Sequence, residues 1–312
     1  ESDHHEFIIS KHDFQANFHE FLDSVDEPFG DSSAFAMYLL AKETKKHVTV
    51  ALSGDGADEL FAGYRKHRAE LKLRMMSGTR KAGIKGVSGL LKKAKVSRSD
   101  KWGDINRKIQ KFSSGIDLDE ESRYFEWCSF STDHDVEALL KKKWYSKSGW
   151  RGMQIETMSD YLIADQKLVL PNDMLKKVDL MSMRHALEVR TPFLDHKVVE
   201  FANSLPIDYK MDTKIGKLVL KQAFREVLPD EILLRKKRGF EVPLQEWLGE
   251  EIKNLLESEL FSKEYIEEQG IFQYEFVNRM IKSIRSTSFG EKIYLIWSLI
   301  VFQHWYKKYY LK

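Results

Sequence analysis

The chain has 312 residues, 42% of them apolar or aromatic and 31% charged, with a net charge of +2. That composition excludes a disordered chain and fits one or two soluble globular domains. The single cysteine, Cys128, excludes an intrachain disulfide and any multi-cysteine metal site, and it suits a reducing, cytoplasmic setting.

In chain order, HHEFIIS (4–10) reads as a short strand, with no targeting signal around it. The histidine pair His4–His5 would point to opposite faces of that strand, which argues against a metal site there. DFQANFHEFLDSV (13–25) has apolar residues at helical spacing, with Asp13 as an N-cap. DEPFGDSS (26–33) is a turn in which Asp31 or Ser32 caps the next helix, AFAMYLLAKETKK. HVTVALSG then reads as a buried strand running into SGDGADELFAGY (53–64). Strand, helix, strand, glycine turn and helix are the start of a parallel α/β unit.

Beyond Tyr64 nearly every segment reads as helix: 104–112, 117–129, 134–142, 155–170, 173–189, 196–204, 214–227, 249–257, 273–284 and 290–310. Breaks fall at RTPFLDHK (190–197) and LLRKKRGFEVPLQEWL (233–248). Between Arg65 and Lys111 sixteen basic residues face three acids. No aromatic residue interrupts Ala69–Lys101, so the stacking platforms of a single-strand nucleic-acid binder are missing. This stretch reads as a solvated helical face with a basic loop from Gly78 to Lys101, which argues against a nucleic-acid partner. Cys128, near Trp127 and Phe130, reads as an apolar filler. IYLIWSLIVF (293–302) is half the ~20 residues a membrane span needs and reads as a core helix.

The chemistry concentrates in SGDGADELFAGY. Ligands bind at strand ends in open α/β sheets, where helix N-termini aim backbone N–H groups outward. Gly54 and Gly56 permit close backbone approach. Asp55, Asp58 and Glu59 place three carboxylates at a helix start, and hard oxygen ligands suit Mg²⁺. An ordinary glycine turn before a capped helix has the same composition.

SGDGADELFAGY resembles the signature of the synthetase domain of asparagine synthetases, glutamine-dependent enzymes that use ATP to make amides. DEPFGDSS, NDMLKKVDLMSMRHALEVRTPFLDHKVVEFANSLP (172–206) and GKLVLKQAFREVLPDEILLRKKRGFEVPLQEWL (216–248) resemble further motifs in the same order. The resemblance spans essentially the whole chain. It implies an α/β fold of the adenine nucleotide alpha hydrolase-like (ATP pyrophosphatase) type, with a parallel sheet followed by a large, mostly helical portion. It implies ATP and Mg²⁺ as cofactors, and adenylation of aspartate or another carboxylate before ammonia from glutamine displaces AMP. Ser53 and Gly54 then match backbone contacts to the nucleotide, and Asp58 the carboxylate on magnesium pyrophosphate. Asp55 matches an acidic position where many members carry glutamate. Tyr64 matches the tyrosine closing the motif, which in the β-lactam synthetase branch is part of a proton-handling pair. Lys237, in RKKRGF, matches the lysine that stabilises the adenylate; alone it would read as a solvated member of a basic run. Asp173 and Lys177, in the central motif, are substrate-binding or supporting positions. Asp179, Glu188, Arg190 and Asp195 read as structural, the last three in buried or half-buried ion pairs.

Two parts of that activity are expected upstream of residue 1. None of the Ser-Gly pairs, at 53, 77, 88, 114 and 148, continues as the pyrophosphate loop SGGxDS. A glutaminase domain with a terminal cysteine is also missing. The expectation is one partial synthetase domain over 1–312, inactive alone, whose partner is the glutaminase domain of the same parent chain; a homodimer stays open. β-Lactam synthetases, lasso-peptide cyclases and polysaccharide-cluster amidotransferases share the domain and remain alternatives, as does a non-catalytic basic binding module.

Overall fold

The computed structural model describes residues 3–93, 101–146, 152–235, 239, 242–247, 249–286 and 292–311. Phe14, Phe18, Phe21 and Leu22 recur at helical spacing, and they are the buried face of helix α1, Lys11–Ser24. The cap is Ser10, not Asp13. Asp13 is the third helical residue and closes a capping box, its carboxylate accepting the Ser10 N–H at 2.9 Å. Helix α2, Ser33–Thr44, follows the DEPFGDSS turn. Its cap position is Ser32, but the acceptor is Asp31, whose Oδ1 takes the Ser33 N–H at 2.9 Å.

These helices and the C-terminal helix Ile293–Tyr310 enclose the main core. Phe21 stacks on Phe35 with ring centroids 4.5 Å apart and lies 5.8 Å from Trp297, which is fully buried. Offset aromatic packing of this kind adds about 0.5–1.5 kcal/mol per pair beyond burial. The IYLIWSLIVF run is therefore core, and among the described residues no helix is long and apolar enough to cross a membrane.

The described residues form one sheet of two parallel strands, β1 (Val50–Leu52) and β2 (Glu188–Arg190), in the register Val50↔Glu188 to Leu52↔Arg190. The chain is otherwise mostly helical. Residues 4–10 are not a strand: no described segment supplies a ladder partner, and Ile8 is exposed. Instead His5 and Phe7 pack on the His47 ring at 4.3 and 5.9 Å. The expected helix 173–189 ends at Met183, because Glu188–Arg190 is drawn into β2.

Four helices follow the acidic turn: α3 (Ala57–Leu60), α4 (Arg65–Arg74), α5 (Gly78–Lys93) and α6 (Lys101–Ser114). The first sixteen residues of the expected basic loop are thus helix α5. It packs on α6, where Ser88 Oγ donates to Gln110 Oε1 at 3.0 Å. Helix α7, Glu120–Cys128, is clamped to α4 by a buried ion pair: Arg123 Nε and Nη2 donate to the two oxygens of Glu70 at 2.7 and 2.8 Å. A helix at Met158–Ala164 continues into a π-helical stretch, Asp165–Leu175, containing Pro171. Proline cannot donate to the carbonyl four residues back and crowds it, a conflict that wider winding relieves. Asp165 opens this stretch and Asp173 lies near its end.

Two further expectations are corrected. Glu188 and Arg190 pair at 2.8 Å on the surface, both more than half exposed. Asp195 is exposed as well; its Oδ1 caps the helix His196–Ser204 by accepting the Lys197 N–H at 2.9 Å. Strand side chains at 188 and 190 share one face, and here that face is open to solvent.

Candidate active site

At the end of β1, the Ser53 N–H donates to Arg190 O at 2.9 Å, and the Ser53 hydroxyl donates to Asp55 Oδ2 at 2.5 Å. The two glycines of the turn differ. Gly56 has φ +89°, and a Cβ there would lie 2.3 Å from Leu194. Gly54 has no positive φ, and a Cβ there would meet nothing within 4 Å. The chain's own packing demands the second glycine; around the first the space is open.

Asp58 is paired with Lys217 at 2.8 Å. A Cβ on Gly63 would overlap Asp58 Oδ1, and one on Gly216 would lie 2.2 Å from Ala62 O. The Gly-Lys pair at 216–217 is thereby docked against the Ala-Gly pair at 62–63, with the Lys217 N–H donating to Phe61 O at 2.9 Å. Glu59 is buried and accepts the Tyr64 hydroxyl at 2.6 Å. Burial pushes the Glu59 carboxyl up against the opposing effect of that hydrogen bond. Burial, with the Glu59 charge, also holds the Tyr64 phenol far above its ordinary range.

A cleft of about 750 Å³ opens on this turn, within the ~300–1,000 Å³ typical of small-molecule sites. Gly54, Asp55, Asp58, Tyr64, Asp173 and Lys177 all line it. Ser53 sits one residue behind its edge, hydrogen-bonded to Asp55. Lys237 lies outside the described residues; Gly239, two residues on, lines the cleft. Among the described residues no three His, Cys, Asp or Glu side chains are grouped to hold a metal ion. Asp58 offers one carboxylate, and magnesium commonly takes only one or two together with phosphate oxygens and water, so the donor chemistry fits.

The cleft is also lined by two lysines, Lys66 and Lys177, that sequence reading treated unequally. Lys177 is buried, and its three N–H groups are taken by Asp31 Oδ2 at 2.8 Å, Ser33 Oγ at 2.9 Å and Met174 Sδ at 3.6 Å. It ties the DEPFGDSS turn to the central motif. Burial alone would raise the Asp31 carboxyl, but the Lys177 charge holds it below its ordinary value. Beside it, burial and then the Asp31 charge push Asp173 up to about 7. Asp173 Oδ1 is buried, and the Asp173 carboxyl shares a hydrogen bond with Asp31.

Lys66, two residues past the acidic motif, also lines the cleft. Its Nζ lies 2.5 Å from Asp165 Oδ1 and 3.0 Å from Cys128 Sγ, and 4.8 Å from the centre of the Tyr124 ring. Asp165 is fully buried; it also accepts the Tyr124 hydroxyl at 2.7 Å and contacts His67 Nε2 at 2.6 Å. Burial would raise that carboxyl, yet the Lys66 charge and the His67 hydrogen bond keep it low, hence ionised. Cys128 is no apolar filler: burial raises its thiol, Lys66 opposes that, and the sulfur accepts a lysine N–H. Sequence reading missed Lys66 and Lys217 because both sit in basic surroundings. Asp165 did carry a signal, an acid inside the apolar helical run YLIADQKLVL.

Fold and site define a helix-rich protein with a cleft at the C-terminal end of a parallel strand. The family described as asparagine synthase matches residues 1–307, and the chain belongs to that family. It is similar to asparagine synthetase [glutamine-hydrolyzing] 1 of Bacillus subtilis, 30% identical over 317 residues, covering 96% of this chain and 46% of the relative. A putative asparagine synthetase [glutamine-hydrolyzing] of Mycobacterium tuberculosis is 30% identical, over 96% of this chain and 45% of its own length. Amidase chry2 of Gibberella zeae is 21% identical over 80% of this chain and 40% of its own. The chain spans about half the length of the curated relatives it matches.

Proposed function

We propose that this chain is the synthetase part of a longer cytoplasmic enzyme that couples amide formation to ATP cleavage. In this reading residues 1–312 are one incomplete domain of the adenine nucleotide alpha hydrolase-like type. The enzyme adenylates aspartate, and ammonia released from glutamine by a separate domain displaces AMP. The observation that carries it is the convergence of Gly54, Asp58 and Gly239 on one cleft, in a chain of the asparagine synthase family.

Backbone groups at Ser53 and Gly54 bind the nucleotide, which explains an open glycine that packing does not require. Asp58 would hold Mg²⁺, its carboxylate braced by Lys217. The bound ion supplies charge neutralisation for the triphosphate. Lys237, two positions before Gly239 of the cleft wall, offsets charge developing as the acyl-adenylate forms. Asp55 orders the turn through Ser53. Tyr64, anchored on Glu59, serves proton handling when the amine attacks. Lys177 is a supporting residue.

Carboxylate-dependent exchange of pyrophosphate into ATP by the full-length protein tests this. Exchange with L-aspartate is expected there and not from residues 1–312 alone. Lack of exchange with any carboxylate in the full-length protein would refute the assignment.

A further inference from the structure

Charge is segregated along this chain. Residues 65–111 carry sixteen Lys and Arg against three acids, a local +13; with the whole chain at +2, the remainder carries −11. Residues 78–111 alone hold eleven of those bases and two of the acids. They include helices α5 and α6, and no residue lining the cleft belongs to either helix. The pair is tied together at Ser88, whose Oγ donates to Gln110 Oε1 at 3.0 Å and accepts the Ser113 hydroxyl at 2.7 Å. It is anchored to α7 by Phe112, which stacks on Trp127 with ring centroids 5.8 Å apart. Within 78–89 only Ser88 is buried. Arg80, Ile84 and Val87 follow one another at i, i+4 and i+7, one stripe of the helix, with Lys81 and Lys85 along its side. Val87 is 50% exposed and Ile105, on α6, is 45% exposed. Lys108, three positions after Ile105 and so on the same side of α6, is exposed as well.

We propose that α5 and α6 form a peripheral docking surface for an anionic phospholipid bilayer. Arg80, Lys81, Lys85 and Lys108 take headgroup phosphates, and Val87 and Ile105 enter the boundary between headgroups and acyl chains. Charge complementarity selects the anionic partner: a basic arm on an acidic body turns arm-first toward a negative plane, while the body is repelled from it. The mixture of side chains selects lipid among anions. A nucleic-acid backbone would engage the bases and leave Val87 and Ile105 in water, and no aromatic residue lies between Ala69 and Lys101 to stack on a nucleobase. A bilayer rewards both kinds of side chain at once, phosphate at its surface and hydrocarbon just beneath. The cytoplasmic leaflet is such a plane, and each basic group held near it strengthens binding about fivefold. This is a surface contact and not a span. It goes beyond the synthetase reading and does not depend on it.

The test is sedimentation of the full-length protein with phosphatidylcholine vesicles, prepared with and without one third phosphatidylserine. Binding is expected only where phosphatidylserine is present, and it should weaken as salt is added. The triple variant Arg80→Gln, Lys81→Gln, Lys85→Gln should lower the partition coefficient by about 100-fold, three contributions of about fivefold each. Val87→Ser should lower it by about fivefold through lost apolar burial and keep the salt dependence of the wild type. Duplex DNA and polyglutamate, added as competitors at matched anion concentration, stand for the other occupants. Displacement from the vesicles by either one, together with a Val87→Ser variant that binds like wild type, would overturn the bilayer and assign the surface to nucleic acid or to an acidic protein. Absence of sedimentation with phosphatidylserine, or sedimentation that the triple variant retains in full, would overturn it too. Pyrophosphate exchange is no part of the readout, so the synthetase reading stands or falls separately.

Discussion

Two polar regions of the cleft, the acidic turn and the surroundings of Lys177 and Lys66, are built on different principles. On the acidic turn, backbone geometry dominates: Gly56 at φ +89° and the close approaches at Gly63 and Gly216 leave little freedom. Around the two lysines, side-chain hydrogen bonding dominates. Among the described residues Lys177 gives its three donors to Asp31, Ser33 and Met174, and Lys66 gives two to Asp165 and Cys128 while lying over the Tyr64 and Tyr124 rings. Residues of equal charge in one cleft are thus told apart by counting their partners.

The largest expected effect falls on Lys237, which lies outside the described residues. Lys237→Ala in the full-length protein is expected to lower pyrophosphate exchange by about 10²–10³-fold, the usual cost of one charge-stabilising donor, with an unchanged melting temperature. A rate within threefold of wild type would remove Lys237 from the site. Next come the two glycines, which probe the rigid turn. Gly56→Ala must hold a strained φ and displace Leu194, and should cost about 1–3 kcal/mol in denaturant unfolding. Gly54→Ala should leave stability within about 0.5 kcal/mol and still weaken nucleotide binding in a calorimetric titration. Equal stability losses would mean that both glycines serve packing.

Lys217→Met separates the acidic turn from its brace. It leaves Asp58 without its ion-pair partner in a partly exposed setting, where about 1 kcal/mol of stability is at stake; denaturant unfolding measures it. Asp173→Asn gives the subtlest signal, in pH dependence. The Asp173 carboxyl is raised to about 7 in the folded chain, so between its unfolded value near ~4 and that raised value the native state binds the extra proton. Stability contributed by this group is fully present below the lower value and is lost as pH rises through the upper one. The melting temperature of Asp173→Asn should therefore gain on wild type as pH goes from about 5 to about 8. A constant difference would place Asp173 in an ordinary solvated environment.

Much of this architecture is legible in the sequence because it is local. The α1 apolar spacing, the Asp31 acceptor and the break at RTPFLDHK follow from periodicity, short-range hydrogen bonding and proline. Strand β2 is hidden there because Glu188–Arg190 is a strand only by pairing with residues far away in the chain. Residues 4–10 err the other way, β-prone but with no ladder partner among the described residues. At the site, the glycine-and-acid turn announces Asp55, Asp58 and Tyr64. Lys66 does not stand out, because what marks it is Asp165 and Cys128, 99 and 62 positions away.

A single cleft must hold the nucleotide if Asp58 and Lys237 are to act together. Photolabelling of the full-length protein with 8-azido-ATP, followed by mass spectrometry of the peptides, locates the nucleotide most directly. Labelling that ATP suppresses should fall on cleft-lining segments, within residues 31–40, 53–66, 169–178 or 239–242. ATP-protected labelling confined to α5, or to the exposed helix His196–Ser204, would contradict it.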